Sequence, residues 1–148
     1  MSALEGLQAL SDSVHESDEL ALQSLQLRSI DALALQQLVQ AGAEGRSLNP
    51  TQLSGLLRLT TAGVTKLVDR LVRAGRAERR PNPDDRRGIV VIATDSAQAD
   101  LAQAYGHIHS PVMDAIDDLS DEDAAVVGRF AARLAQALRD ERAIHAAG

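Results

Sequence analysis

The sequence predicts a mainly α chain with one small β-hairpin, an α+β protein in which a helix, a turn, a second helix and the hairpin are flanked by helical arms. Three observations carry that reading. Apolar residues recur at helical spacing through most of the 148 residues. Between Thr60 and Thr94 a helix of small residues is stopped by Gly75 and followed by two short runs that flank Pro81-Asn82-Pro83-Asp84-Asp85, a turn-forming stretch. Residues suited to capping stand where the helical patterns begin.

From the N-terminus, Leu4 to Leu27 is polar and leucine-studded, and its apolar residues are too irregularly spaced to define one face; it reads as a helix. Ser29 caps a clearer helix with Ile30, Leu33, Ala34, Leu38 and Ala41 on its apolar face, and Gly42 ends it in a left-handed position. Asn49-Pro50, with Gln52 three residues after the cap, opens a short helix through Leu53, Leu56 and Leu57. Arg58-Leu59-Thr60 makes the turn. Thr60 caps the next helix, whose Val64, Leu67, Val68, Leu71 and Val72 form a single buried stripe. Ala77 to Arg80 pairs with Gly88 to Ala93 as the hairpin. Asp95 with Gln98 opens a long helix to about Leu119, in which Pro111 forces a kink or a break. Ser120 with Asp123 starts a last helix with Val127, Phe130, Ala131, Leu134 and Leu138 on one stripe.

The expected organisation is an N-terminal dimerisation helix (1–28), a central module (29–95) and C-terminal dimerisation helices (96–148). The arms carry more leucine and alanine than covering a lone module requires. A helical dimer interface explains the excess, the alternative being an intramolecular cap on a monomer.

With no cysteine, thiolate metal sites, disulfides and thiol redox switches are excluded. No apolar run approaches the roughly 20 residues of a membrane span, and no signal peptide is visible, so the expected compartment is the cytoplasm with no membrane partner. The formal charge of −6 is unevenly spread. Residues 46–90 hold ten Arg or Lys against four Asp or Glu, and the remainder holds five against seventeen. The basic block coincides with the central helix and hairpin, so charge and shape that suit nucleic acid occur in one place.

An α-helix enters the major groove most closely where its leading residues are small or hydrogen-bonding, and Thr60, Thr61, Ala62, Gly63 and Thr65 meet that need. Glycine within a helix costs about 1 kcal/mol relative to alanine, so Gly63 needs a reason. Approach of the DNA backbone and close packing of the preceding helix are both sufficient. Lys66, Arg70 and Arg73 lie further along, on or beside the free face, at phosphate-contacting positions. The hairpin concentrates Arg79, Arg80, Arg86 and Arg87 around a turn no core would tolerate, and arginines of this kind suit a narrow minor groove. Asp84 and Asp85 are expected to orient guanidinium groups.

Leu67-Val68-Asp69-Arg70-Leu71 with Ala74-Gly75, then Asp85-Arg86-Arg87-Gly88 and Thr94, resembles the multiple-antibiotic-resistance regulator (MarR) family, and the order of elements resembles it over nearly the whole chain. The resemblance implies a winged helix-turn-helix flanked by interlocking dimerisation helices. The Thr60–Ala74 helix would lie in the major groove and Arg87 in the minor groove, with Asp85 supporting the wing and Asp69 pairing with a wing arginine. It implies a sequence-specific regulator of double-stranded DNA, a homodimeric repressor at a pseudo-palindromic operator, released by a small-molecule effector. Tyr105 and Phe130 are the only aromatics, so an aromatic effector pocket has less support than the DNA site. His107 and His109, two apart, point in different directions on a helix, and no metal or other cofactor is expected. The competing reading is a winged-helix assembly module without sequence-specific DNA binding. An enzyme finds no catalytic constellation to support it.

Overall fold

The computed structural model describes residues 1–148 as six helices and a two-stranded antiparallel sheet. The chain divides into two compact units, Met1–Ile108 and His109–Gly148.

In the first unit, α1 (Ala3–Leu25) starts from a capping box between Ser2 and Glu5 and ends at Gln26, which is left-handed at φ 53°. Its irregular apolar spacing has a structural counterpart: only Ala21 and Leu25 are buried, while Leu4, Leu10, Val14 and Leu20 are exposed.

The second helix, α2 (Ser29–Ala43), departs from the sequence reading at both ends. Arg28, not Ser29, is the N-cap and makes no side-chain cap bond. Gly42 lies inside the helix, and the left-handed glycine is Gly45 at φ 73°. There Arg46 N–H donates to the Ala41 carbonyl at 2.8 Å and Gly45 N–H to Gly42 at 3.1 Å, the paired closure of a Schellman motif. Of the expected stripe, Ala34, Leu38 and Ala41 are buried and Ile30 packs against the core, whereas Leu33 is exposed and Asp31, Ala32 and Leu35 are buried as well.

The Asn49–Gln52 capping box opens α3 (Pro50–Leu57) as expected, with bonds of 2.8 Å in both directions. Arg58, left-handed at φ 54°, turns the chain toward α4 (Thr61–Arg73). Thr60 Oγ1 accepts from Gly63 N–H at 3.1 Å, and Val64, Leu67, Val68 and Leu71 are buried. Gly75, at φ 73°, ends α4 with a second Schellman closure: Arg76 N–H donates to Leu71 at 2.8 Å and Gly75 N–H to Val72 at 3.0 Å.

Strands β1 (Ala77–Pro81) and β2 (Ile89–Ala93) pair in the register Ala77 to Ala93 and Pro81 to Ile89. The Val91 N–H donates to the Leu48 carbonyl at 2.8 Å, tying the α2–α3 loop to the hairpin. Leu35, Leu53, Leu67, Leu71 and Val91 form the centre of the unit's core, against which Ala97, Leu101 and Ala104 of α5 (Asp95–Asp117) also pack. Thr94 rather than Asp95 precedes that helix: its Oγ1 accepts from Ala97 N–H at 3.2 Å.

The second unit contains the end of α5 and α6 (Asp121–Ala147). Pro111 lies within α5 and does not break it. The carbonyl that proline deprives of a partner belongs to exposed His107, where water can satisfy it. Ser120 caps α6 by accepting from Asp123 N–H at 3.1 Å. No residue of α6 is buried, and Val127, Phe130, Leu134 and Leu138 are all exposed. No helix is long and apolar enough to cross a membrane.

Candidate nucleic-acid interface

The stripe that buries α4 leaves its opposite side open from the first turn. Thr60, Thr61, Ala62, Thr65, Lys66 and Arg73 are exposed, and Gly63 is half-buried. Thr65 Oγ1 is not free to act only outward, because it donates to the Thr61 carbonyl at 3.0 Å. A Cβ added at Gly63 would meet the capping hydroxyl of Thr60 at 3.2 Å and Leu59 Cβ at 3.7 Å. The tight neighbours of Gly63 are therefore turn residues and not the body of the preceding helix. Glycine here keeps the cap uncrowded and the helix tip slim.

Arg70 is placed differently from its sequence neighbours Lys66 and Arg73. Its Nη2 and Nε donate to the Asp31 carboxylate at 2.7 and 3.2 Å, and Asp31 is only 5% exposed. The Asp31 hydrogen bond raises the Arg70 pKa above its ordinary value, so the guanidinium stays charged at every relevant pH. A fork committed to a buried carboxylate is not available as a phosphate ligand while the pair holds. The partner, 39 residues away in sequence, is invisible to helical periodicity.

The four hairpin arginines divide into two pairs. Arg79 and Arg80 lie on β1 rather than at the tip and are matched with carboxylates: Arg79 with Asp69 of α4, and Arg80 with Glu78 at 2.9 Å. The Asp69–Arg79 contact is the pairing of a helix acid with a wing arginine that the family resemblance implied. Arg86 and Arg87 occupy the tip, exposed, and neither makes an ion pair.

Backbone geometry holds that tip. The Asp85 carboxylate accepts from Arg87 N–H at 3.0 Å, so it orients the main chain at Arg87 and not a guanidinium group as expected. Asn82, which the sequence reading treated only as a turn former, accepts Asp84 N–H on Oδ1 at 2.9 Å and donates its own N–H to Gly88 at 3.0 Å. Gly88 N–H closes the loop on the Asp85 carbonyl at 3.1 Å. Asn followed by Pro-Asp is the signal by which such an Asx turn can be found.

An open helix tip, two unpaired tip arginines and a braced hairpin thus arise from one stretch of chain. Residues 33–89, covering most of that stretch, match the MarR family. That segment carries the chain's similarity to the MarR family. An HTH-type transcriptional regulator, YcgE of Bacillus subtilis (strain 168), is 26% identical over 121 residues, which cover 82% of this chain and 76% of YcgE. The multiple antibiotic resistance protein MarR of Escherichia coli (strain K12) is 36% identical over 58 residues, 39% of this chain and 40% of that protein. The crystal structure of E. coli MarR in its apo form superposes with a TM-score of 0.59 at 22% identity, over 90% of this chain and 98% of the other. A mutant of S. aureus MepR bound to an oligodeoxyribonucleotide gives 0.62 at 17% identity, over 93% and 99%. The structural likenesses establish the winged-helix fold of the chain. The family match and the sequence relatives support a DNA-binding transcriptional regulator.

Proposed function

We propose that the protein is a homodimeric, sequence-specific regulator of double-stranded DNA that represses transcription at a pseudo-palindromic operator and is released by a small-molecule effector. The observation that carries the reading is the pairing of the open α4 tip with a braced wing whose Arg86 and Arg87 have no protein partner. In this reading Thr60, Thr61, Ala62, Gly63 and Thr65 approach base edges in the major groove, where small and hydroxyl side chains allow close contact. Lys66 and Arg73 contact phosphate, with Arg86 beside them, and Arg87 enters the minor groove. Arg79 and Arg80, held by Asp69 and Glu78, set the wing's base beside the recognition helix.

The assembly follows from the arms. Phe130, Leu134 and Leu138 of α6 are exposed, as are Leu4, Leu10 and Val14 of α1, and a second copy covers such faces most economically. In this proposal the domain roles stay as the sequence suggests: residues 1–28 and 96–148 dimerise and residues 29–95 bind DNA. Twofold symmetry then presents two recognition helices to half-sites about one helical turn, roughly 34 Å, apart. The MepR mutant bound to an oligodeoxyribonucleotide adds a fold-level parallel.

The deciding experiment selects fragments of the source genome on the purified protein and titrates the enriched duplex against a scrambled one at a fixed salt concentration. Enrichment of a common inverted repeat, bound at least about a thousandfold more tightly than the scrambled duplex, supports the reading. Equal affinity for all duplexes, or none, rejects it.

A further inference from the structure

Two arginines of the recognition helix and the turn after it point away from its open face and hold the elbow between α1 and α2. Leu25 and Asp31 stand on the two sides of that elbow, which contains the left-handed Gln26 and the uncapped helix start at Arg28. Arg70 grips the Asp31 carboxylate through two nitrogens at 2.7 and 3.2 Å. Arg76 donates Nη2 to the Leu25 carbonyl at 2.6 Å, and its Nη1 is buried without a partner.

The turn carrying Arg76 is itself tied forward. The Arg76 carbonyl accepts Thr94 N–H at 3.0 Å, and Thr94 Oγ1 donates to the Gly75 carbonyl at 2.9 Å. All of these contacts lie within the Met1–Ile108 unit. The apolar stripe of α4 holds the helix in the core, but apolar packing is non-directional and tolerates small rolls and slides. A planar guanidinium fork on a carboxylate fixes distance and angle together. Buried ion pairs contribute little net stability against an apolar replacement, so specifying geometry is the better account of Asp31, the one charged side chain buried in this structure.

We propose that Arg70 and Arg76 are positioning residues, a clamp through which the α1–α2 elbow sets the pitch of α4. A displacement of α1 at the elbow therefore reaches the recognition helix directly, with no need to rearrange the core. Its role in recognition rests on the DNA-binding reading above, whereas the mechanical link can be measured without DNA. With its exposed leucines α1 is one of the arms proposed to engage a second copy, so the elbow joins an assembling part of the chain to its reading head.

The test uses the full-length chain with Asp31→Asn, which keeps the shape and removes the charge, together with Arg70→Lys, Arg76→Met and Arg76→Lys. Each is titrated against the selected operator and a scrambled duplex over a salt series, and hydrogen exchange is followed by mass spectrometry. Asp31→Asn, Arg70→Lys and Arg76→Met should each weaken operator binding about tenfold, within the usual range of coupling between sites. Scrambled-duplex affinity and salt slope should stay unchanged, and amides should exchange faster both at residues 22–31 and at 64–76. Arg76→Lys, which keeps a donor for one carbonyl, should restore binding. Were Arg70 a phosphate ligand held in reserve, Asp31→Asn would release it and tighten binding, and that result overturns the clamp. Operator affinity unchanged in a protein that does bind its operator overturns it too. A protein that binds no duplex removes the DNA reading, and exchange then decides the link: acceleration confined to the substituted segment ends it.

Discussion

Arg87 and Tyr105 each isolate one physical effect. Arg87 is exposed and makes no ion pair, and its main chain is held by Asp85, so truncating it removes a reaching side chain without disturbing the core. Arg87→Ala should weaken operator binding by tenfold or more while thermal unfolding and sedimentation stay as they were. Unchanged affinity in a fluorescence titration would remove the wing from the interface. Asp85→Ala should cause a smaller loss by freeing the loop rather than deleting the contact. Tyr105, the sole tyrosine, sits against Asp18 and Gln36, and burial first, then the Asp18 charge, raises its pKa. A phenol whose folded pKa is raised contributes stability that is complete below the ordinary value near 10 and is lost as pH climbs through the raised one. Absorbance titration near 295 nm should place the midpoint above that of free tyrosine, and Asp18→Asn should bring it down. A midpoint at the free value would show the ring to be solvated.

For the elements, legibility depended on whether the cause of each was local. The α3 capping box, the Thr60 cap, the buried stripe of α4 and the Gly75 stop were all readable, because each involves residues within about one or two helical turns. In α2 the pattern found Ala34, Leu38 and Ala41 but not Asp31, because a buried acid is intelligible only once Arg70 is seen opposite. The same long-range pair moved Arg70 from the expected phosphate face into the fold. Gly42 was expected to end α2, but the helix runs past it, and the Arg46 N–H bond to Ala41 closes it at Gly45, three residues further on. The division within α4 has a measurable consequence. Lys66→Gln and Arg73→Gln should each flatten the log–log salt dependence of DNA binding by about 0.9, one phosphate contact apiece. Slopes equal to that of the unsubstituted protein would place both side chains off the DNA.

Over the whole molecule, basic charge is concentrated in the middle of the sequence and exposed apolar surface in the helical arms on either side of it. The basic residues between 46 and 90 belong to the helix and wing proposed to meet DNA, and the acidic excess lies outside them. In the proposed function that separation would steer a chain of net charge −6 to phosphate through its basic segment while the acidic remainder is repelled. The apolar surface follows the opposite distribution. In α6 every residue of the expected stripe is exposed in the single chain, because the pattern names an apolar face and not its partner. Phe130 at 46% exposure and Leu138 at 59% are large side chains left in water within a single chain. If a second copy covers them, Phe130→Asp places a carboxylate in an apolar interface, where an unpaired charge is strongly unfavourable. The expected outcome is a monomer in sedimentation velocity, with the helical circular dichroism largely retained, since no residue of α6 is buried in the isolated chain. Dimer stability is linked to concentration, so the melting temperature of the unsubstituted protein should rise with protein concentration and that of the variant should not. Operator affinity should fall toward that of a single half-site. A Phe130→Asp protein that still sediments as a dimer would exclude the α6 stripe as the interface and leave the exposed leucines of α1 as the next surface to substitute.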